Sequence, residues 1–160
     1  MKLLTIIRHA KSVADFLSND FDRKNTSRGI NDAKKVAEKS KDYINPESFI
    51  WSSSAVRTTE TATIFLSVWK LDFNTIDFKK ELYTFDSTKL EQIIKSCPND
   101  CDNLILFGHN NAITDFVNKF GDIFIDNVPT SGFVSIIFDT NNWNEINKGK
   151  TDKIIFPRVI

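Results

Sequence analysis

The sequence predicts an α/β fold: a single three-layer domain over residues 1–160, with a mostly parallel central sheet and helices on both faces. Three observations carry this reading. Short apolar runs rich in branched residues, Leu3 to Ile7 and Leu104 to Phe107, read as strands buried on both faces, as parallel strands are. Segments with helical apolar spacing alternate with such runs. The length of 160 residues suffices for one good core and is too short for two.

Taken in order, Leu3 to Ile7 is the first strand, and it ends on Arg8, His9, Ala10, Lys11 and Ser12. Val13 to Arg28 is polar and irregular, with Asp15, Asp20, Asp22 and Arg23. From Gly29 a helix is predicted, with Ile30, Ala33, Val36 and Ala37 on one stripe and Pro46 closing the unit. Phe49 to Trp51 is a second strand, and Ser52 to Ser54 read as a loop and helix cap. A helix follows from about Ala55 to Val68. Thr75 to Phe78 is a weak strand and Leu90 to Ile94 lies in a short helix. Asn103 to Phe107 is a strong strand, followed by Gly108-His109-Asn110-Asn111 and a helix bearing Ile113, Phe116, Val117 and Phe120. Phe133 to Phe138 and Ile154 to Phe156 supply further strands. The chain shows no repeat, low-complexity tract or linker.

Composition removes several classes of function. Lys+Arg and Asp+Glu are 21 each, so the basic surplus of a nucleic-acid binder is missing. No apolar stretch approaches a membrane span, and Leu3 to Ile7 is too short for a signal-peptide core. The two cysteines, Cys97 and Cys101, read as reduced thiols of a cytoplasmic protein. His9 and His109 are the only histidines, so an ordinary zinc site would consume both; no metal and no cofactor is expected.

In a parallel α/β sheet, ligands bind outside the carboxyl ends of the strands. His9 and His109 each lie just past such an end, and Arg57 lies one short loop past another. Alone, Arg8-His9 reads as surface decoration and His109 as a helix-capping residue in a Gly-His-Asn turn. Together they suit a phosphate. Arg8 and Arg57 offer two guanidinium forks, each able to hold two phosphate oxygens, and the helix start at Arg57 adds oriented N–H groups. An imidazole, with its ordinary pKa of about 6.5, is nucleophilic toward phosphorus near neutral pH. Attack gives a phosphohistidine that water can hydrolyse.

An ordered series of segments carries a family resemblance across essentially the whole chain. It comprises Arg8-His9-Ala10-Lys11-Ser12, Asp22-Arg23, Ser27 to Ala33, and Trp51-Ser52-Ser53-Ser54-Ala55-Val56-Arg57-Thr58-Thr59-Glu60-Thr61-Ala62. It continues with Glu81-Leu82-Tyr83, Phe107-Gly108-His109-Asn110-Asn111, Asp126 to Gly132 and the segment at Trp143. This series resembles the histidine phosphatase superfamily, in the SixA-like branch of phosphohistidine phosphatases. The resemblance implies that His9 is the phosphorylated nucleophile, that Arg8, Arg57 and His109 bind the phosphoryl group, and that no metal is used. It places Glu81 near the leaving oxygen as the candidate general acid, with Asp15 and Asp86 as weaker candidates. Asn111 stands where relatives carry Pro, which implies a looser turn after His109.

The substrate expected from this reading is phosphohistidine on a protein, with a small phosphate ester as the alternative. A general acid speeds alkyl ester cleavage by about 10²–10⁴-fold, whereas a departing imidazole can take its proton from water. Lys11 could attract an acidic partner surface. A third reading is a non-catalytic phosphate-binding adaptor, which would need the arginines but neither histidine.

Overall fold

The computed structural model describes residues 1–14, 17 and 19–159, and it is an α/β sandwich of three layers. Six strands form one sheet: β1 (Lys2–Arg8), β2 (Phe49–Ser52), β3 (Ile76–Phe78), β4 (Asn103–Gly108), β5 (Phe133–Phe138) and β6 (Lys150–Ile155). Their spatial order is β3-β2-β4-β1-β5-β6. The pairs from β3 to β1 are parallel, and β5 and β6 add antiparallel neighbours at the other edge. The mostly parallel sheet predicted from sequence is thus the one observed. Four helices cover it: α1 (Ser27–Ser40), α2 (Val56–Trp69), α3 (Ser87–Lys95) and α4 (Ala112–Phe120).

The pleat sorts the core. Leu4 and Ile6 of β1, with Leu104 and Leu106 of β4, face Leu90, Ile94, Ile113 and Phe116 of α3 and α4. Ile7, Ile105 and Phe107 point the other way, onto Ala33, Val36, Ala62 and Phe65 of α1 and α2. Successive strand residues face opposite layers, so a strand covered on both faces must be apolar throughout. Each fully buried side chain of this kind contributes about 1.5–3 kcal/mol.

Several boundaries differ from the sequence reading, and the last strand, expected at Ile154 to Phe156, spans Lys150–Ile155. Helix α1 begins at Ser27, before Gly29, because the Thr26 hydroxyl accepts the Gly29 N–H at 2.9 Å and caps it. The serines before α2 do not cap it through a side chain; Ala55 occupies the cap position. Gly29 has a steric reason: a Cβ there would lie 2.3 Å from the Lys11 carbonyl oxygen. The first turn of α1 is therefore packed directly on the backbone that follows the first strand.

Among the described residues no helix is long and apolar enough to cross a membrane. Cys97 and Cys101 are buried free thiols.

Candidate active site

The register of the sheet brings the candidate residues together. Arg8 is the parallel partner of Gly108, so the residues just beyond, His9 and His109, emerge side by side. The His9 N–H closes this edge by donating to the Gly108 carbonyl at 3.1 Å. Ser52 pairs with Phe107 on the far side of β4, which delivers Ser53 to the same edge. The imidazole centroids are 5.3 Å apart. Arg57, in the first turn of α2, is 1% exposed and projects between them.

Hydrogen bonds assign the protons. His9 Nδ1 lies 2.8 Å from the Ala10 carbonyl oxygen, which can only accept, so Nδ1 carries the hydrogen and Nε2 keeps its lone pair. Arg57 Nε donates to that lone pair at 3.3 Å. A second guanidinium nitrogen, Nη2, reaches Nδ1 of His109 at 3.4 Å. An arginine has no acceptor, so His109 Nδ1 is unprotonated and its Nε2–H donates to the Ser53 hydroxyl at 2.8 Å.

Both rings resist protonation. Burial is the main cause for His9, with the Arg57, Arg8 and Arg23 charges adding to it, and its pKa falls to about 4. Burial likewise dominates at His109, followed by His9 and Arg57, and its pKa falls to about 3. Both imidazoles are therefore neutral near pH 7. Arg8 is held below its ordinary value, first by burial and then by the Arg57 charge. Its Nη1 donates to the Val128 carbonyl at 2.9 Å, while its buried Nε has no hydrogen-bond partner among the described residues. Two guanidinium groups and two neutral rings thus converge on one point of positive potential.

Five residues were not legible in the sequence as contributors to the site. Asp20 accepts from Arg57 Nη2 at 2.9 Å and from Arg23 Nη2 at 2.9 Å, and it also accepts the Tyr83 hydroxyl. Burial works to raise its pKa, but the Tyr83 and Arg57 hydrogen bonds outweigh that and hold it at about 2. Tyr83 packs edge-on against His109 at 5.2 Å, and Phe85 does so at 5.5 Å. Phe21 stands edge-on to Tyr83, which completes an aromatic rim with exposed outer rings. Ser53, expected as part of a helix cap, instead orients His109.

Glu81 sits exposed in the 3-10 turn Lys80–Leu82 and lines a surface groove with Tyr83, Lys89 and Gln92. Among the described residues no hydrogen bond or ion pair joins it to Arg8, His9, Arg57 or His109. Asp86 caps α3 by accepting the Thr88 N–H at 3.0 Å, and Asp15 lies outside the described residues. The turn after His109, expected to be loose, is held by Asn110. Its Oδ1 accepts from the Thr114 N–H and hydroxyl at 2.9 and 2.8 Å, and its Nδ2 donates to Asn127 at 2.9 Å. Among the described residues no group of three His, Cys, Asp or Glu side chains is arranged to hold a metal ion.

Comparison with solved structures identifies the architecture. The protein histidine phosphatase SixA complexed with tungstate superposes with a TM-score of 0.82, at 17% identity over 98% of both chains. An Agrobacterium tumefaciens protein provisionally assigned as a phosphohistidine phosphatase SixA gives 0.77, at 22% identity over 96% of this chain and 97% of its own. A phosphoserine phosphatase from Entamoeba histolytica in complex with 3-phosphoglyceric acid gives 0.67, at 15% identity over 96% of each chain. No family model matches the sequence, and no curated protein matches it by sequence.

Proposed function

We propose that this chain, which has the fold of the histidine phosphatases, is a metal-independent phosphatase that forms a phosphoenzyme on His9 and acts on phosphohistidine carried by a protein. The observation that carries the reading is the protonation pattern. A buried imidazole with its Nδ1–H fixed on a carbonyl presents an Nε2 lone pair beside two arginines. Phosphoryl transfer depends on such positioning and charge neutralisation.

In the first step Nε2 of His9 attacks phosphorus, the bond from phosphorus to the leaving group breaks, and the leaving group takes a proton. Arg57 and Arg8 neutralise the equatorial oxygens. A bound dianion raises the proton affinity of His109, reversing the effect of the neighbouring guanidiniums, so that His109 can become a second cationic donor. In the second step water attacks the phosphohistidine, phosphate departs, and Nε2 regains its lone pair.

The substrate class follows from the leaving group. Asp20, the carboxyl nearest the arginines, is ionised at neutral pH because its pKa is held at about 2, so it has no proton to give. No hydrogen bond or ion pair joins Glu81 to the reacting groups among the described residues. A site without a positioned acid favours a departing imidazole over an alkoxide. The rim of Phe21, Tyr83 and Phe85 also suits a planar ring.

The test compares kcat/KM for a phosphohistidine protein with a panel of alkyl phosphates, in the wild type, His9→Ala and Glu81→Gln. The expected outcome is a strong preference for phosphohistidine, no turnover in His9→Ala, and little change in Glu81→Gln. Rapid quench of the wild type should trap an acid-labile, base-stable phosphoenzyme. Faster ester hydrolysis that disappears in Glu81→Gln would transfer the assignment to a small-metabolite phosphatase.

A further inference from the structure

A cationic groove borders the candidate site at Arg8. It has a volume of about 350 Å³ and is lined by Arg8, Lys11, Arg28, Asp32, Asn127 and Arg158 among others. A second open groove shares Arg28, Asp32 and Arg158 and adds Lys35. Across the two, Arg8, Lys11, Arg28, Lys35 and Arg158 face a single carboxylate, Asp32, in a chain whose formal net charge is zero.

That lone carboxylate satisfies little of this charge. Arg28 reaches Asp32 only at 3.9 Å, and Lys11, Lys35 and Arg158 have no ion-pair partner among the described residues. The cations are also set by the backbone. The Thr26 N–H donates to the Lys11 carbonyl at 2.8 Å, and Ser12 bridges to Asn25. With Gly29 allowing close approach, Lys11 and the first turn of α1 form one edge. The 3-10 turn Pro157–Val159 packs on α1 and presents Arg158 opposite.

We propose that this groove docks an acidic segment of the protein substrate, flanking the phosphorylated residue; the proposal rests on the phosphatase reading above. Two features choose a polypeptide as occupant. The groove is continuous with the reaction centre, because Arg8 lines both. It also extends beyond one anion: Arg28 and Lys35 are two helical turns apart, about 10 Å along α1. That length matches about three residues of extended chain, whereas a second anionic group of a small metabolite would engage only the Arg8 and Lys11 end.

The experiment uses the double variant Arg28→Glu/Arg158→Glu, both positions exposed and outside the reaction centre. Three substrates are compared by kcat/KM: phosphohistidine peptides flanked by glutamates, the same peptides flanked by lysines, and free phosphohistidine. The wild type should prefer the Glu-flanked peptide, and this preference should shrink with salt. The double reversal should cut turnover of that peptide about tenfold and speed the Lys-flanked one, since charge pairs at a rim act individually by a few-fold. Turnover of free phosphohistidine should stay within about twofold, as expected when only rim charges change. Equal losses on all three substrates, or an unchanged preference, overturn the docking site. Equal losses on free phosphohistidine and the Glu-flanked peptide alone would assign the groove to small anions and also overturn it. Wild-type inactivity on all three would instead sink the phosphatase reading. Docking is then read from the fluorescence anisotropy of a labelled poly-glutamate peptide. Binding lost in the double variant supports the groove, and absence of binding to wild type refutes it.

Discussion

Asp20 places a negative charge on the same guanidinium that the phosphoryl group must use, and removing that charge should tighten phosphate binding. The perturbation is Asp20→Asn, which keeps the size of the side chain and one acceptor oxygen. In the wild type the carboxylate takes Arg57 Nη2 at 2.9 Å and Arg23 Nη2 at 2.9 Å. A phosphate on Arg57 would sit about 5 Å from it, where two like charges repel by about 3 kcal/mol at an effective dielectric of about 20. Asp20 is 46% exposed, so solvent and salt reduce this to roughly 1 kcal/mol per phosphate charge. For a dianion the expected gain is about 1–2 kcal/mol, a five- to thirtyfold tighter complex. The assay is calorimetric titration with inorganic phosphate and inhibition by vanadate, each at low and high salt. The gain should diminish at high salt. Unchanged or weaker binding in Asp20→Asn would refute the reasoning and show that the carboxylate serves chiefly to hold Arg57 and Tyr83 in place.

Three further outcomes follow from the same geometry. The two histidines should titrate near pH 4 and pH 3 in the free protein, read from their imidazole NMR signals, and vanadate should raise His109. The unfolded chain takes up these protons near pH 6.5, so stability is full above that value and falls as pH drops toward 4, by about 1.4 kcal/mol per depressed unit. A ring titrating near 6.5 would contradict the assigned burial. Arg57→Ala and Arg8→Ala should each lose one to two decades or more in kcat/KM, because charge-assisted hydrogen bonds are worth about 1.5–3 kcal/mol. Arg57→Lys should not recover the loss, since one ammonium cannot span His9, His109 and Asp20 as the fork does. Gly29→Ala should destabilise the fold by about 1–3 kcal/mol in urea despite alanine's better helix propensity, because its Cβ would press on the Lys11 carbonyl. A more stable Gly29→Ala protein would show that this contact relaxes freely.

The legibility of the chain in its sequence divides along physical lines. Strands β1 and β4 were readable because burial on both faces forces continuous apolar runs, and α1 and α2 because one buried stripe imposes helical spacing. His9 and His109 were readable because parallel strands end at a common edge. Asp20 was not, since it reaches Arg57 and Tyr83 across long stretches of chain from an irregular segment with no periodicity. The motif Glu81-Leu82-Tyr83 marked the neighbourhood of the site, and Tyr83 is its residue that packs on His109. In a 3-10 turn successive side chains diverge by about 120°, so Leu82 enters the core while Tyr83, two positions beyond Glu81, reaches the rings. Ser53 carried the composition of a cap, and only the β2–β4 register shows that its hydroxyl belongs to His109.

The central position of β1 also governs when the candidate site comes into being. This strand is made early, yet its neighbours are late: Leu3 pairs with Asn103, and Lys2 pairs with Phe138. At about 5–20 residues per second of translation, the strand waits roughly 5–20 s for β4 and longer for β5. Throughout that interval Leu4 and Ile6 lack Leu104, Leu106, Ile113 and Phe116, which cover them in the finished fold, whereas the α1 and α2 residues that cover Ile7 are already made. Chains dominated by such distant pairings fold slowly and expose sticky surface meanwhile. His9, on the end of this strand, therefore stays unframed until residues 103–108 emerge. The two histidines can stand side by side only after β4 has been made and paired with β1.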